Sequence, residues 1–174
     1  MHYATIKPYD IANGPGVRVS LFVSGCRHHC PDCFNAEAWD FDFGEPFTQE
    51  TIEAILQHLK LPYIQGLTLL GGEPFEPENQ PAVLDLVRQV REYCPDKTIW
   101  AFSGFTLEQL LSGQTGPVAI TQALLSHLDV LVDGPFLSAL KDLSLRFRGS
   151  SNQRIIDLPA TLQTGNVVLW DETQ

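Results

Sequence analysis

Arg18-Val19-Ser20-Leu21-Phe22-Val23-Ser24-Gly25-Cys26-Arg27-His28-His29-Cys30-Pro31-Asp32-Cys33 sets the organisation of the chain. Its first six residues are short, partly alternating and rich in β-prone side chains, which predicts a strand. That strand runs directly into a loop carrying three of the four cysteines at C-x3-C-x2-C spacing. Soft thiolates crowded this closely either hold a metal or repel one another. A metal centre at the end of a strand is the first expectation.

The metal depends on the fourth ligand. A structural zinc site takes four protein donors, and no second cysteine pair appears downstream. Cys94 follows an amphipathic stretch about sixty residues away. Three thiolates on one loop suit a cubane 4Fe-4S cluster, with three irons held by protein and one open for an exchangeable ligand. Zinc completed by His28 or His29 is the alternative. A cluster of inert buried thiols fits poorly with a loop full of Arg, His, Asp and Pro, which reads as accessible. His28 and His29 themselves read as solvated loop residues.

Outward from the loop, residues 1 to 16 read as an irregular lead-in ending in the turn Asn13-Gly14-Pro15-Gly16. Trp39-Asp40-Phe41-Asp42-Phe43 reads as an edge strand or a loop whose rings shield the metal centre. Thr48 is placed to cap a helix carrying Ile52, Ile55, Leu56 and Leu59 at helical spacing. Leu67-Thr68-Leu69-Leu70 is a second strand, stopping at Gly71-Gly72-Glu73-Pro74. A helix with Val83, Leu86, Val87 and Val90 follows, with Asn79 placed to cap it. Thr98-Ile99-Trp100-Ala101-Phe102 is a third strand, ending in Ser103-Gly104-Phe105. Thr106 and Gln109 form a capping box for a short helix, and Ile120, Ala123 and Leu124 mark another. Asp129-Val130-Leu131-Val132 is a fourth strand, ending in Asp133-Gly134-Pro135. Val167-Val168-Leu169-Trp170 adds a last strand or docks on the core.

Strands alternating with helices predict an α/β fold with a mostly parallel sheet and right-handed crossovers. Four units are too few to close a barrel, so an open partial (βα) barrel is expected. In such folds the loops after the strands emerge on one side. The cysteines, Glu73, Ser103 and Asp133 should converge there. Ser103 and Asp133 at strand ends can equally serve only to cap the next element.

The 174 residues suit one domain with a real core. Apolar content of 44% is that of a globular protein. No run approaches a membrane span and no leader is evident, so a cytoplasmic location is expected, consistent with reduced cysteines. A net charge of -10 argues against nucleic-acid or anionic-membrane binding, which needs a basic footprint. Charge is uneven: Glu37, Asp40, Asp42 and Glu45 follow the cysteine loop, whereas Lys141, Arg146, Arg148 and Arg154 gather near the C-terminal end. Solvated faces account for both groups; a partner-facing surface is the sharper reading. Cys94 reads as a small buried hydrophobe.

The cysteine loop resembles the cluster motif of the radical S-adenosylmethionine superfamily, and Gly71-Gly72-Glu73-Pro74 resembles that superfamily's cofactor segment. Asn13-Gly14-Pro15-Gly16 with Arg18, the loop ending Cys33-Phe34-Asn35, Leu131-Val132-Asp133-Gly134-Pro135-Phe136 and Arg148-Gly149-Ser150-Ser151-Asn152-Gln153 narrow the resemblance to anaerobic ribonucleotide reductase activating proteins. Phe34 stands where that family often has tyrosine, and Phe147 where it often has tryptophan.

The resemblance implies a single radical S-adenosylmethionine domain over residues 1–174, with the cluster loop at 24–35 and a family-specific segment at 136–174. It implies Cys26, Cys30 and Cys33 as cluster ligands, and S-adenosylmethionine chelated by the open iron. Asp32, Cys33, Phe34, Gly71, Gly72, Glu73, Ser103 and Asp133 would face the cofactor, with Glu73 offering its carboxylate to the ammonium. The implied activity is reductive cleavage of the cofactor and formation of a glycyl radical on the reductase large subunit, with an electron donor such as a flavodoxin. Other readings are an activase of a different glycyl-radical enzyme, a small-molecule radical enzyme, and a non-catalytic metal-binding module.

Overall fold

A computed structural model describes residues 1–171. Seven strands form one sheet in the order β3-β1-β2-β4-β5-β6-β7. They are β1 (His2–Asp10), β2 (Val17–Val23), β3 (Glu45–Pro46), β4 (Ile64–Gly71), β5 (Thr98–Phe102), β6 (Val130–Asp133) and β7 (Arg154–Asp157). The middle of the sheet, β2-β4-β5-β6, is parallel. Both flanks are antiparallel: β1 pairs with β2 and β3, and β7 pairs with β6. Helices α1 (Gln49–Leu59), α2 (Gln80–Tyr93), α3 (Leu107–Leu111), α4 (Val118–Leu125) and α5 (Leu158–Thr164) fill the connections and the C-terminal end.

The parallel strands are buried on both faces, as crossover helices require. Val19, Leu21, Val23, Leu67, Leu69, Ile99, Ala101 and Leu131 pack in one core with Ile52, Ile55, Leu56 and Leu59 of α1 and Val83, Leu86, Val87 and Val90 of α2. The alternate residues Trp100, Val130, Val132 and Ile155 form a second cluster with Phe102, Phe147 and Trp170. Trp170 N donates to Ile155 O at 2.9 Å, and its ring meets Trp100 edge-on at 5.0 Å. The last apolar run thus joins β7 through a bridge between Leu169 and Ile156.

Arg18 is fully buried beside this second cluster. Its guanidinium donates to Thr68 Oγ1 at 2.7 Å, Leu67 O at 2.8 Å and Thr98 O at 3.0 Å, and it lies over Trp100 at 5.6 Å. Burial lowers its pKa to about 10, still leaving it charged. Thr68 Oγ1 in turn donates to Asn13 O at 2.8 Å, so the buried cation fixes the Asn13–Gly16 turn over the sheet.

Two local features differ from the sequence reading. Residues 2–10 form a strand and not an irregular lead-in, held by antiparallel pairing with β2. Its side chains are half-buried and Pro8 interrupts the run, so the strand owes its form to its neighbour. Asn79 makes no capping bond; its amide donates to Ser24 O at 2.9 Å and Glu73 O at 3.0 Å. Pro81 in the first turn pre-organises α2 instead. The capping box of α3 forms as expected, with Thr106 N donating to Gln109 Oε1 at 2.8 Å. Among the described residues no helix is long and apolar enough to cross a membrane.

Candidate metal and cofactor site

β2 ends at Val23, and the chain is then pinched into a lobe. Gly25 N donates to Ala38 O at 2.8 Å and Cys26 N to Trp39 O at 3.1 Å, closing the neck of the loop that carries the cysteines. Gly25 has φ 95° and lies close against the Phe41 ring, where a Cβ would come within 2.3 Å of a ring carbon. Within the lobe, His29 (φ 48°) and Asp32 (φ 59°) take left-handed backbone that side chains disfavour by about 1–2 kcal/mol each. Arg27 anchors the lobe from outside: its N–H donates to Glu76 Oε1 at 2.8 Å, and its guanidinium reaches Glu76 at 2.6 Å and Glu78 at 2.6 Å.

The end of β4 is joined to this lobe first through backbone. Gly72 N donates to Val23 O at 2.7 Å and Glu73 N to Gly25 O at 2.9 Å, carrying the β2–β4 pairing past the strand ends. A Cβ at Gly72 would lie 2.6 Å from Gly25 O and 2.9 Å from Ala38 O. The glycine at this position is thus demanded by the protein's own backbone, besides any ligand.

Cys26, Cys30 and Cys33 share the wall of one cavity of about 480 Å³ with Gly71, Gly72, Glu73 and Ser103. That volume suits a small organic cofactor. Asp32 and Phe34 also border it, Phe34 at 86% exposure on the rim. Asp32 is tied to the C-terminal segment by a short bond from Ser138 Oγ. The opposite wall comes from that segment, including Lys141, Leu143, Leu145, Phe147 and Arg148.

Glu73 is only 1% exposed, and its carboxylate is surrounded by donors. Oε1 accepts from Phe75 N at 2.9 Å and Ser103 Oγ at 3.0 Å; Oε2 accepts from Gly104 N at 2.8 Å and His28 Nε2 at 3.1 Å. The bond to Glu73 raises the His28 pKa above its usual range against the opposing effect of burial. His28 is therefore no solvated loop residue. Ser103 Oγ meanwhile accepts from Phe105 N at 3.1 Å, so one hydroxyl serves both the site and the next turn.

Asp133 does not border the cavity. Its carboxylate accepts from Leu107 N at 2.7 Å and Arg154 Nε at 2.9 Å, capping α3 and pairing β7. Cys94 lies in the core at the end of α2, apart from the other three cysteines, and burial raises its thiol pKa.

The donor set fits an iron–sulfur cluster. Burial, with Glu73 and Glu76 nearby, pushes the Cys26 thiol up to about 12, and burial raises Cys30 as well. A thiolate is costly there unless a cation accompanies it, which is what ligated iron provides. Asn35 Nδ2 and Trp39 Nε1, which flank the lobe, are buried donors without a protein acceptor. Among the described residues no three His, Cys, Asp or Glu side chains close on a single point as one ion requires. A cubane takes each thiolate at a different iron and needs no such convergence. Of the histidines that could complete a zinc site, His28 is bonded to Glu73 through Nε2, while His29 is stacked on Trp39 at 4.6 Å.

The residues missed from sequence were His28, Glu76, Asn79 and the 141–148 wall. Polar residues such as Glu76 and Asn79, embedded just after Gly71–Pro74, were a usable signal; nothing in the loop spacing singled out His28.

A sheet with a parallel middle, carrying cysteines and a glycine-rich segment at the ends of adjacent strands, fits an iron–sulfur protein class, and residues 12–156 match the family described as a 4Fe-4S single cluster domain. An anaerobic ribonucleoside-triphosphate reductase-activating protein from Vibrio cholerae is 46% identical over 157 residues, covering 89% of this chain and 97% of that protein. Proteins of the same name from Escherichia coli K12 and enterobacteria phage T4 are 44% and 39% identical, covering 88% and 89% of this chain and 96% and 93% of their own lengths. The chain belongs to the 4Fe-4S single cluster domain family and, within it, to the anaerobic ribonucleoside-triphosphate reductase-activating proteins.

Proposed function

We propose that this protein activates an anaerobic ribonucleotide reductase by generating a glycyl radical on its large subunit. The observation that carries the reading is the single cavity bordered by three cysteines and by the Gly71–Glu73 backbone. The relatives' shared name supplies the partner. The domain, residues 1–174, is read as a radical S-adenosylmethionine domain with an open partial (βα) barrel, working in the cytoplasm with a donor such as a flavodoxin.

Cys26, Cys30 and Cys33 would hold a 4Fe-4S cluster and leave one iron for S-adenosylmethionine. A cluster and cofactor held there would supply one-electron reductive cleavage of the sulfonium and, from it, hydrogen-atom abstraction from a reductase glycine. The chain's own part is to bind, orient and exclude water. Gly71, Gly72 and Glu73 offer fixed backbone groups beside the cysteines, and Asp32, Cys33, Phe34 and Ser103 supply the remaining cofactor-facing surface. Asp133 stands outside this lining and accepts from Leu107 N at the start of α3. Leu143, Leu145 and Phe147 close the far side with apolar bulk.

Anaerobic reconstitution with iron and sulfide, reduction, and chromatography after adding S-adenosylmethionine should yield 5'-deoxyadenosine only when the protein is reduced. Reductase added to the same mixture should then acquire a glycyl-radical resonance. A reducible cluster with no such product would reject the reading.

A further inference from the structure

We propose that His28 is a positioning residue, which latches the cysteine loop to the ends of β4 and β5 through Glu73, and that the Glu73 carboxylate serves this latch instead of binding the cofactor ammonium. The proposal rests on the reading of the cavity as an S-adenosylmethionine site.

An ionised carboxylate offers about four acceptor positions. Those of Glu73 face four donors of this chain at 2.8–3.1 Å: two backbone amides, the Ser103 hydroxyl and the His28 ring. While these bonds stand, an incoming ammonium finds no unshared position on that group. Backbone carbonyls, which are strong acceptors, are the alternative partners for it.

His28 sits in a socket built for its ring. The imidazole packs on Phe105 with centroids 4.2 Å apart. A Cβ on Gly104 would fall 2.6 Å from two atoms of the ring. Gly104 is absent from the positive-φ residues, so its backbone does not require glycine; the ring's approach does. The residue lies between Cys26 and Cys30, so its seat on Glu73 sets the distance between the thiolates and the Gly71–Glu73 segment. Glu73 belongs to the cofactor wall, Gly104 lies in the loop after β5, and His28 belongs to the metal loop. One ring therefore holds three strand-end elements in register.

The test uses His28→Leu, His28→Gln and Gly104→Ala in the full chain. Glutamine can still donate to Glu73, whereas leucine cannot, and alanine at 104 displaces the ring without altering it. Hydrogen exchange of the cluster-free protein should show faster exchange at residues 27–33 in the leucine and alanine variants and near-normal exchange in the glutamine variant. After reconstitution all three should carry wild-type iron. S-adenosylmethionine should bind about tenfold more weakly to the leucine and alanine variants, as for other residues that orient ligand groups, with glutamine restoring affinity. The change that the cofactor induces in the resonance of the reduced cluster should weaken in parallel. Wild-type affinity and exchange in His28→Leu would overturn the latch, as would iron loss in every variant, which would make His28 a ligand. A wild-type protein that binds no S-adenosylmethionine would reject the cofactor reading, while the exchange data would still decide the latch.

Discussion

Arg154 on β7 and Asp133 on β6 face each other across the antiparallel edge of the sheet and share two hydrogen bonds, with Nε to Oδ1 at 2.9 Å. Asp133 is 1% exposed, so its carboxylate has lost its hydration and this pair supplies the partners that replace it. Removing the cation strands the charge. Arg154→Met should lower unfolding free energy by roughly 3 kcal/mol in urea titrations, the usual penalty for breaking a buried pair. A loss within the scatter of surface substitutions would mean that Leu107 N alone satisfies Asp133.

The same guanidinium reaches Glu108 at 2.8 and 3.1 Å and depresses its pKa to about 2. A carboxylate with a folded-state pKa below its unfolded value of 4.5 stabilises the fold above that value. The contribution disappears as pH falls from about 4.5 towards 2. Glu108 is mostly exposed, so the effect is well under 1 kcal/mol. Denaturation midpoints measured across that window should fall more steeply in the wild type than in Glu108→Gln, and equal slopes would remove Glu108 from the acid response.

Cys26→Ala, Cys30→Ala and Cys33→Ala should each abolish the cluster, because three thiolates are the minimum for a site with one open iron. Cys94→Ala should retain full iron, costing only about 1 kcal/mol of stability for a small core truncation. Iron and sulfide analysis after anaerobic reconstitution distinguishes the two classes. Equal iron loss in the Cys94 variant would contradict the ligand set.

The four parallel strands were readable because each is an apolar run stopped by glycine or a polar residue, and parallel strands buried on both faces must be such runs. The cysteine loop and Gly71–Glu73 were readable from spacing and strand order. β1 was hidden because its pattern, half-buried and broken by Pro8, acquires meaning only beside β2. Asn79 looked like a cap because its position fits one; the competing acceptors, Ser24 O and Glu73 O, come together only in three dimensions. His28 was illegible for the same reason, since Glu73 and Phe105 are far from it in sequence.

Gly72→Ala separates the glycine's structural role from its place beside a ligand. The added methyl would meet two backbone oxygens, at 2.6 and 2.9 Å, and backbone yields less readily than a side chain. The neck of the cysteine loop must open, at a cost of about 1–3 kcal/mol. A lower thermal midpoint in the protein before any iron is added is the expected result. An unchanged midpoint with impaired cofactor binding would assign this glycine to the ligand alone.

Arg146 and Arg148 look equivalent in sequence, yet the structure separates them. Arg148 borders the cavity and donates to Gln153 O at 3.2 Å, whereas Arg146 is exposed, with its guanidinium over the Phe147 ring at 5.1 Å. Of the two, Arg146 is the one positioned to act on a partner without disturbing the cavity. Arg146→Gln should weaken reductase association several-fold, more at low than at high salt, because rim charges act through screened attraction. Cofactor cleavage in the absence of reductase should stay at the wild-type rate. Arg148→Gln should lower both. Reductase affinity unchanged by Arg146→Gln at low ionic strength would return that arginine to the solvated surface and leave the docking charge elsewhere.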